Sequence, residues 1–223
     1  MAIKPILFNT EMVLAILEGR KTQTRRLLKR KYRDDEAGFR IVTNKNDGSF
    51  AYAEYYDEYE EPTRLIEPPC RPGDILWVRE RFCEPYVPGR FAYFADYDGN
   101  KGVTSPDGHL TLSANMFRWK PSIHMPKQAA RIFLRVKDVR VERLQDCGNG
   151  WCVDIEKEGV RTPQNPILYV NDDKFHDALR AEMILLWDST IKPADRDCYG
   201  WDANPWVWVI EFERCEKPKG WCV

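Results

Sequence analysis

The run Gly19-Arg20-Lys21-Thr22-Gln23-Thr24-Arg25-Arg26 brings an amine, two hydroxyls and three guanidinium groups into eight residues. It opens the most basic stretch of the chain, which continues through Lys29, Arg30, Lys31 and Arg33. Lys21 and Thr24 stand three residues apart. On a strand they point to opposite faces; on a tight turn or a single helical turn they converge, and only the second geometry gives them a shared site. Taken alone, the mix supports a local phosphate-binding patch. The plain alternative, for Lys29 to Arg33, is a solvated flexible arm.

The neighbouring elements must hold that turn. Pro5-Ile6-Leu7-Phe8 reads as a first strand. Thr10 is placed to cap a helix with Glu11 in its first turn. Met12, Val13, Ile16 and Leu17 recur at helical spacing, and Gly19 suits the residue that ends such a helix just before Arg20. Residues 32–69 lose any regular period. Within them Asn44-Lys45-Asn46-Asp47-Gly48 is a turn signal that joins candidate strands at 40–43 and 50–54, and 55–61 reads as an exposed acidic loop. This region is expected to be a mobile insertion, and 98–117 a second insertion. Residues 75–82, 91–95, 130–142 and 206–212 read as strands, and 119–126 as an irregular segment bracketed by prolines. Asn171 or Asp172 opens a helix carrying Phe175, Ala178, Leu179, Met183, Leu185, Leu186 and Trp187. Strands that do not alternate regularly with helices predict an α+β fold around a small β-barrel, as a single domain over 1–223.

Composition bounds the function. With 223 residues, 43% hydrophobic and 31% charged, the chain has enough apolar material for a sizeable core. No apolar run approaches the ~18 residues of a membrane helix. The N-terminal residues lack the apolar core of a secretory signal, so a cytoplasmic protein without membrane contact is expected. A net charge of −1 removes any whole-molecule attraction to nucleic acid, so such contact must be local. The seven cysteines are odd in number and form no Cys-x-x-Cys pair, so reduced thiols are expected. Neither Cys147 with Cys152 nor Cys215 with Cys222 has the spacing of a common zinc-ligand pair, and no metal or cofactor is expected. Glu80, between Arg79 and Arg81, reads first as an ion-pair partner, and His124 first as a packed, hydrogen-bonded histidine. Most of the eight tryptophans read as core.

The Gly19–Arg26 run resembles the Gly-x-Lys-x-x-Thr-x-Arg signature of ASCH domains, relatives of the PUA RNA-binding domain. Pro72-Gly73-Asp74-Ile75-Leu76-Trp77-Val78, Val139-Arg140-Val141-Glu142-Arg143-Leu144 and Val207-Trp208-Val209-Ile210-Glu211-Phe212 resemble later landmarks of that family in the same order. Trp-Val-Arg-Glu, Trp-x-Pro-Ser-Ile-His-Met-Pro and Trp-Asp-Ala-Asn-Pro-Trp motifs are similar to those of its longer, prophage-associated members. The resemblance covers most of the chain outside 32–69 and 98–117. It implies a PUA-like barrel with flanking helices and long loop insertions.

Some small bacterial ASCH proteins are amidohydrolases that deacetylate N4-acetylcytidine with a Lys, a Thr and a Glu and without a metal. The resemblance carries the first two onto Lys21 and Thr24. Glu158, just before Gly159, is the best match for the third. Cys147-Gly148-Asn149-Gly150-Trp151-Cys152 departs from the family's acidic, alanine-containing helix start, which leaves Glu156 and, further off, Glu80 as alternative carboxylates. On this reading the protein hydrolyses an N4-acylated cytidine-type nucleoside. Thr24 supplies the hydroxyl, Lys21 acts as base or electrostatic stabiliser, and Glu158 orients the lysine, accepts a proton or binds the exocyclic nitrogen. Arg20 or Arg79 binds a carbonyl oxygen, Glu80 lies at the substrate, and Trp77, Trp119 or Tyr93 stacks on the base. Arg25, Arg26 and Lys29 contact nucleic acid. The alternatives are an RNA- or nucleotide-binding module without catalysis, a ribonuclease, and a phage-related interaction protein with a vestigial pocket. The expected partner is a modified nucleoside or RNA.

Overall fold

A computed structural model describes residues 1–29, 37–43, 51–84, 91–97, 103–104, 111–112, 118–148, 153–160 and 172–221. Its elements in chain order are β1 (Ile3–Leu7), α1 (Thr10–Leu17), β2 (Gln23–Leu27), β3 (Gly38–Thr43), β4 (Ala51–Tyr56), β5 (Pro62–Ile66), β6 (Ile75–Arg79), β7 (Phe82–Cys83), β8 (Ala92–Tyr93), β9 (Val103–Thr104), β10 (Thr111–Leu112), β11 (Phe133–Arg143), α2 (Val153–Lys157), α3 (Asp172–Thr190), α4 (Arg196–Tyr199) and β12 (Trp206–Cys215). The fold is α+β. Its largest sheet has the order β1-β6-β11-β12-β2, and among the described residues no pairing closes it into a barrel. β1 runs parallel to β6, from Ile3 opposite Ile75 to Leu7 opposite Arg79. β11 is antiparallel to β6, and β2 antiparallel to β12. Of the described helices, none is long and apolar enough to cross a membrane.

Asn9, one residue before the expected Thr10, caps α1: its side chain accepts the Met12 amide at 2.8 Å. Replacing Asn9 with alanine leaves that amide without its side-chain acceptor, and stability is expected to fall by about 1 kcal/mol, whereas Thr10→Ala is near neutral. A shift of the urea midpoint at unchanged slope is the measurement. At the other end Gly19 takes φ +78°, the left-handed turn that ends the helix before Arg20 as expected.

The chain divides into two compact units. One comprises Met1–Gly19, Gly73–Arg135 and Glu213–Val223; the other comprises Arg20–Pro72 and Val136–Phe212. In the first, Ile75, Trp77, Ala130, Phe133 and Trp221 form one buried cluster, and Phe82, Tyr93, Met125 and Ala129 another. In the second, α3 sends Leu179, Met183 and Trp187 down one stripe at four-residue spacing. They pack with Ile191, Ile155 of α2 and Val207 and Val209 of β12. Leu185, one of the apolar residues carried by this helix, falls on the opposite face and is exposed.

Two regions carry more strand than was expected. Within 32–69 the described residues build a three-stranded antiparallel sheet, β3-β4-β5, of which only the first two strands were expected. The hairpin expected from 40–43 and 50–54 is present as β3 and β4; its Asn44–Gly48 turn lies outside the described residues. Tyr55, expected in an exposed loop, is buried, with Arg64 of β5 lying 4.2 Å above its ring. Within 98–117, β9 and β10 pair. His124 is exposed on a single 3-10 turn, while Met125 beside it is buried; the turn points the histidine outward, so the packed role expected of it is not met.

Candidate functional site

Lys21 is held in place through its neighbour Thr22, whose amide and carbonyl are both bound. The Thr22 amide donates to the Lys157 carbonyl at 3.0 Å, and the Phe212 amide donates to the Thr22 carbonyl at 2.8 Å. Lys21 therefore enters β2 already facing the end of α2. Gly159, at φ +81°, turns the chain just beyond that helix and leaves Glu158 facing inward. Lys21 Nζ donates to Glu158 Oε2 at 2.9 Å, to the Glu158 carbonyl at 2.8 Å and to the Gln23 carbonyl at 2.7 Å. Arg20 donates to the Gly159 carbonyl at 2.7 Å. The last carbonyls after α2 are thus taken by two cations, a favourable arrangement at a helix C-terminus. The alternative carboxylate, Glu156, is exposed.

Arg25 binds the other oxygen of the same carboxylate. Its guanidinium donates to Glu158 Oε1 at 2.9 Å and to Glu142 Oε2 at 3.5 Å. A wider ionic network surrounds this contact. Arg140 pairs with Glu142, with Glu211 at 2.6 Å and with Asp154 at 3.8 Å, and donates to Gln23 Oε1 at 3.2 Å. Lys157 pairs with Asp154 at 3.4 Å. Two buried donors, Gln23 Nε2 and Arg25 Nε, have no hydrogen-bond partner.

Strand alternation sorts these groups. Gln23 and Arg25 share one face of β2 with their cross-strand partners Glu211 and Val209, and that face carries the ionic network and the α3 core. Thr24 and Arg26 belong to the opposite face, with their partners Ile210 and Trp208. Thr24, Ile210 and Trp208 are buried and Arg26 is half-buried. Thr24 therefore does not share the Arg25 face. Lys21 precedes the strand and is not bound by its alternation, and Glu158 acts across both faces: it bonds Arg25 on one, and its charge is felt by Arg26 on the other.

Burial sets the electrostatics. It drives the Lys21 amine below the ordinary lysine value; the charge and hydrogen bond of Glu158 oppose this, and the positive charges of Arg26 and Arg25 reinforce it. Burial likewise lowers Arg26, against Glu158. The Cys147 thiol is pushed up to about 11 by burial, with Arg25 opposing, so it is a neutral thiol near pH 7.

Other expected site residues lie elsewhere. Arg25 is buried on Glu158, which corrects its expected role as a nucleic-acid contact: a guanidinium held inside on a carboxylate cannot reach a phosphate backbone. Arg26 is half-buried and Lys29 exposed; Arg30 to Arg33 lie outside the described residues. Trp77, Arg79, Glu80 and Trp119 belong to the first unit. There Trp77 is buried edge-on against Trp221, and Arg79 donates to the Ile123 carbonyl. Glu80 is buried in a two-pronged pair with Arg131 at 2.8 and 2.9 Å, as its flanking arginines had suggested for ion pairing. Trp119 packs with Phe94 and Tyr97. An open groove of about 1060 Å³ in that unit is lined by residues such as Ile3, Phe133, Arg135 and Cys215, and by none of Lys21, Thr24 or Glu158.

Sequence reasoning missed Arg25 as the holder of Glu158, and also Glu142, Arg140 and Trp208. A readable signal existed for two of them: Asp138, Arg140 and Glu142 recur at alternate positions of β11, a charged strand face that needs partners. Among the described residues, no group of three or more His, Cys, Asp or Glu side chains is placed to hold a metal ion. Comparison of the chain with family models, curated proteins and solved structures returned no match.

Proposed function

We propose that this chain is an ASCH-type protein with a PUA-like fold that hydrolyses the acyl amide of an N4-acetylcytidine-type nucleoside. One observation carries the reading. Lys21 and Glu158, 137 residues apart in sequence, meet in a buried contact of 2.9 Å. A buried lysine with a lowered proton affinity and an oriented amine is suited to proton transfer near neutral pH. In this reading the substrate lies on the Thr24–Arg26 face of β2. Lys21 takes the Thr24 hydroxyl proton as the oxygen attacks the acyl carbon, and Glu158 holds the amine. Arg26 stabilises the charge that develops on the carbonyl oxygen, and Trp208, across from Arg26, walls the base. The lysine proton passes to the exocyclic nitrogen as cytidine leaves. Water then attacks the acyl carbon as Lys21 takes its proton, and Lys21 returns that proton to the Thr24 oxygen as acetate leaves. The five-stranded sheet and the position of Lys21 between α2 and β12 support the ASCH assignment.

The alternative of an RNA-binding module has weaker support, because Arg25 is committed to Glu158. The test is incubation of the purified protein with N4-acetylcytidine, following cytidine and acetate chromatographically. Multiple turnover is the expected result. No cytidine at stoichiometric enzyme would sink the reading.

A further inference from the structure

One carboxylate serves two buried cations here. Lys21 holds Glu158 Oε2 and Arg25 holds Oε1, each at 2.9 Å, with both cationic side chains 1% exposed and the glutamate 5%. We propose that Arg25 is a positioning residue for the Lys21 amine, acting through Glu158: it anchors the carboxylate from the far oxygen and shares its single negative charge, so that Lys21 is held in place with less than a full counter-charge.

A lone Lys–Glu pair inside a protein keeps its proton, because each charge compensates the other. A second cation on the same carboxylate leaves one positive charge in excess where water screens poorly. Loss of a proton relieves it. The lysine is the group that yields, since a guanidinium does not deprotonate in proteins. Among the described residues, Glu158, Arg25 and Arg26 are the charges that act on Lys21, and the carboxylates further out, Asp138, Glu142, Asp154 and Glu211, gather around Arg140 and Lys157 instead. On β2, Arg26 adds a further positive charge. On β11, Glu142 reaches Arg25 at 3.5 Å but is already bound by Arg140. On β12 and α2, Glu211 and Asp154 are taken by Arg140 and Lys157. Cys147 is a neutral thiol. The direction found for Lys21, lowered first by burial with Arg25 adding to it, agrees with this account.

The proposal rests on the amidohydrolase reading only in giving the free amine a task, and its test does not need turnover. Lys21 is titrated by NMR in protein labelled with 13C-lysine, its signal assigned by loss in Lys21→Arg. In the unsubstituted protein the midpoint is expected below the ordinary lysine value. Arg25→Met is expected to raise the proton affinity of Lys21 roughly tenfold. If that variant does not fold, Arg25→Gln is read in its place, and the unsubstituted titration stands without either. A Lys21 midpoint at or above the ordinary value, or one unmoved by the Arg25 substitutions, overturns the proposal. The pH profile of N4-acetylcytidine turnover is recorded alongside, and its acidic limb should rise with Lys21 in Arg25→Met. A shifted Lys21 with no turnover in any protein defeats the amidohydrolase reading and leaves the Arg25 role intact. Turnover with an unmoved Lys21 does the opposite.

Discussion

Glu158→Gln is expected to lower the stability of the protein by about 3 kcal/mol, the range for removing one partner of a buried ion pair. For a chain of this size that is a fall of about 6–12 °C in Tm. The loss does not come chiefly from the broken contacts, because the amide can still accept hydrogen bonds. It comes from leaving the Lys21 and Arg25 cations, each 1% exposed, without their shared counter-charge. Arg25 retains only the longer contact to Glu142. Lys21 can escape by releasing its proton, and this gives the deficit a pH dependence. The folded lysine already lies below its unfolded value, so the unfolded chain binds more protons in the interval between the two, and stability rises with pH there. Removing Glu158 removes the influences that raise the lysine, so the interval widens downward. The stability deficit of the variant should therefore shrink as pH rises from 7 to 9. Urea unfolding of both proteins at the two pH values measures it. A deficit that is constant or grows with pH contradicts a charged, buried Lys21.

Lys21→Met is expected to cut kcat/KM for N4-acetylcytidine by about 10²–10⁴-fold, the usual worth of a positioned proton carrier. Stability should suffer less than in Glu158→Gln, since Glu158 keeps its contact with Arg25. Lys21→Arg separates the two roles a cation can play. An electrostatic stabiliser survives that change in large part, because charge is conserved. A base does not, because the guanidinium cannot accept the proton. The lowered proton affinity of Lys21 favours the base, so Lys21→Arg is expected to be as inactive as Lys21→Met. Initial rates across substrate concentration, with circular dichroism to confirm folding, decide the matter. An arginine variant with most of the activity retained would replace the base by a fixed charge.

What the sequence disclosed, and what it hid, follows from how far each signal travels along the chain. The stripe Leu179, Met183 and Trp187 and the alternation of β11 are local periodicities, and both elements formed where they were expected. Gly19 was legible because one backbone conformation needs one residue type. The β3-β4 hairpin was legible but the third strand, β5, was not, because apolar pairs of this sheet are mixed with polar and cation–aromatic ones. Arg40 faces Glu54 and binds it at 2.8 Å, and Arg64 faces and covers Tyr55. Such a mixture blurs the apolar alternation by which strands are recognised. At the candidate site, Glu158 was reachable only through the family resemblance. Arg25 was misread as a surface charge, since the partner that buries it is 133 residues away and no spacing rule connects the two. The strand that begins at Gln23 sets Thr24 on the face opposite Arg25, while Lys21, which precedes it, is not bound by that alternation.

Neither compact unit is a continuous piece of chain, and this has a consequence for biosynthesis. The unit that begins at Met1 is completed by residues beyond Glu213, where Trp221 packs edge-on against Trp77 and Phe133. Residues 20–72 and 136–212 must be made before that closure is possible. A nascent chain halted at Phe212 holds every charged partner of Lys21 described above, yet lacks the indole that covers Trp77 and Phe133. Vectorial synthesis, which lets N-terminal domains fold first in many proteins, gives this one no such head start. Until residues through Trp221 are made, Trp77 and Phe133 lack the indole that packs against them in the folded chain.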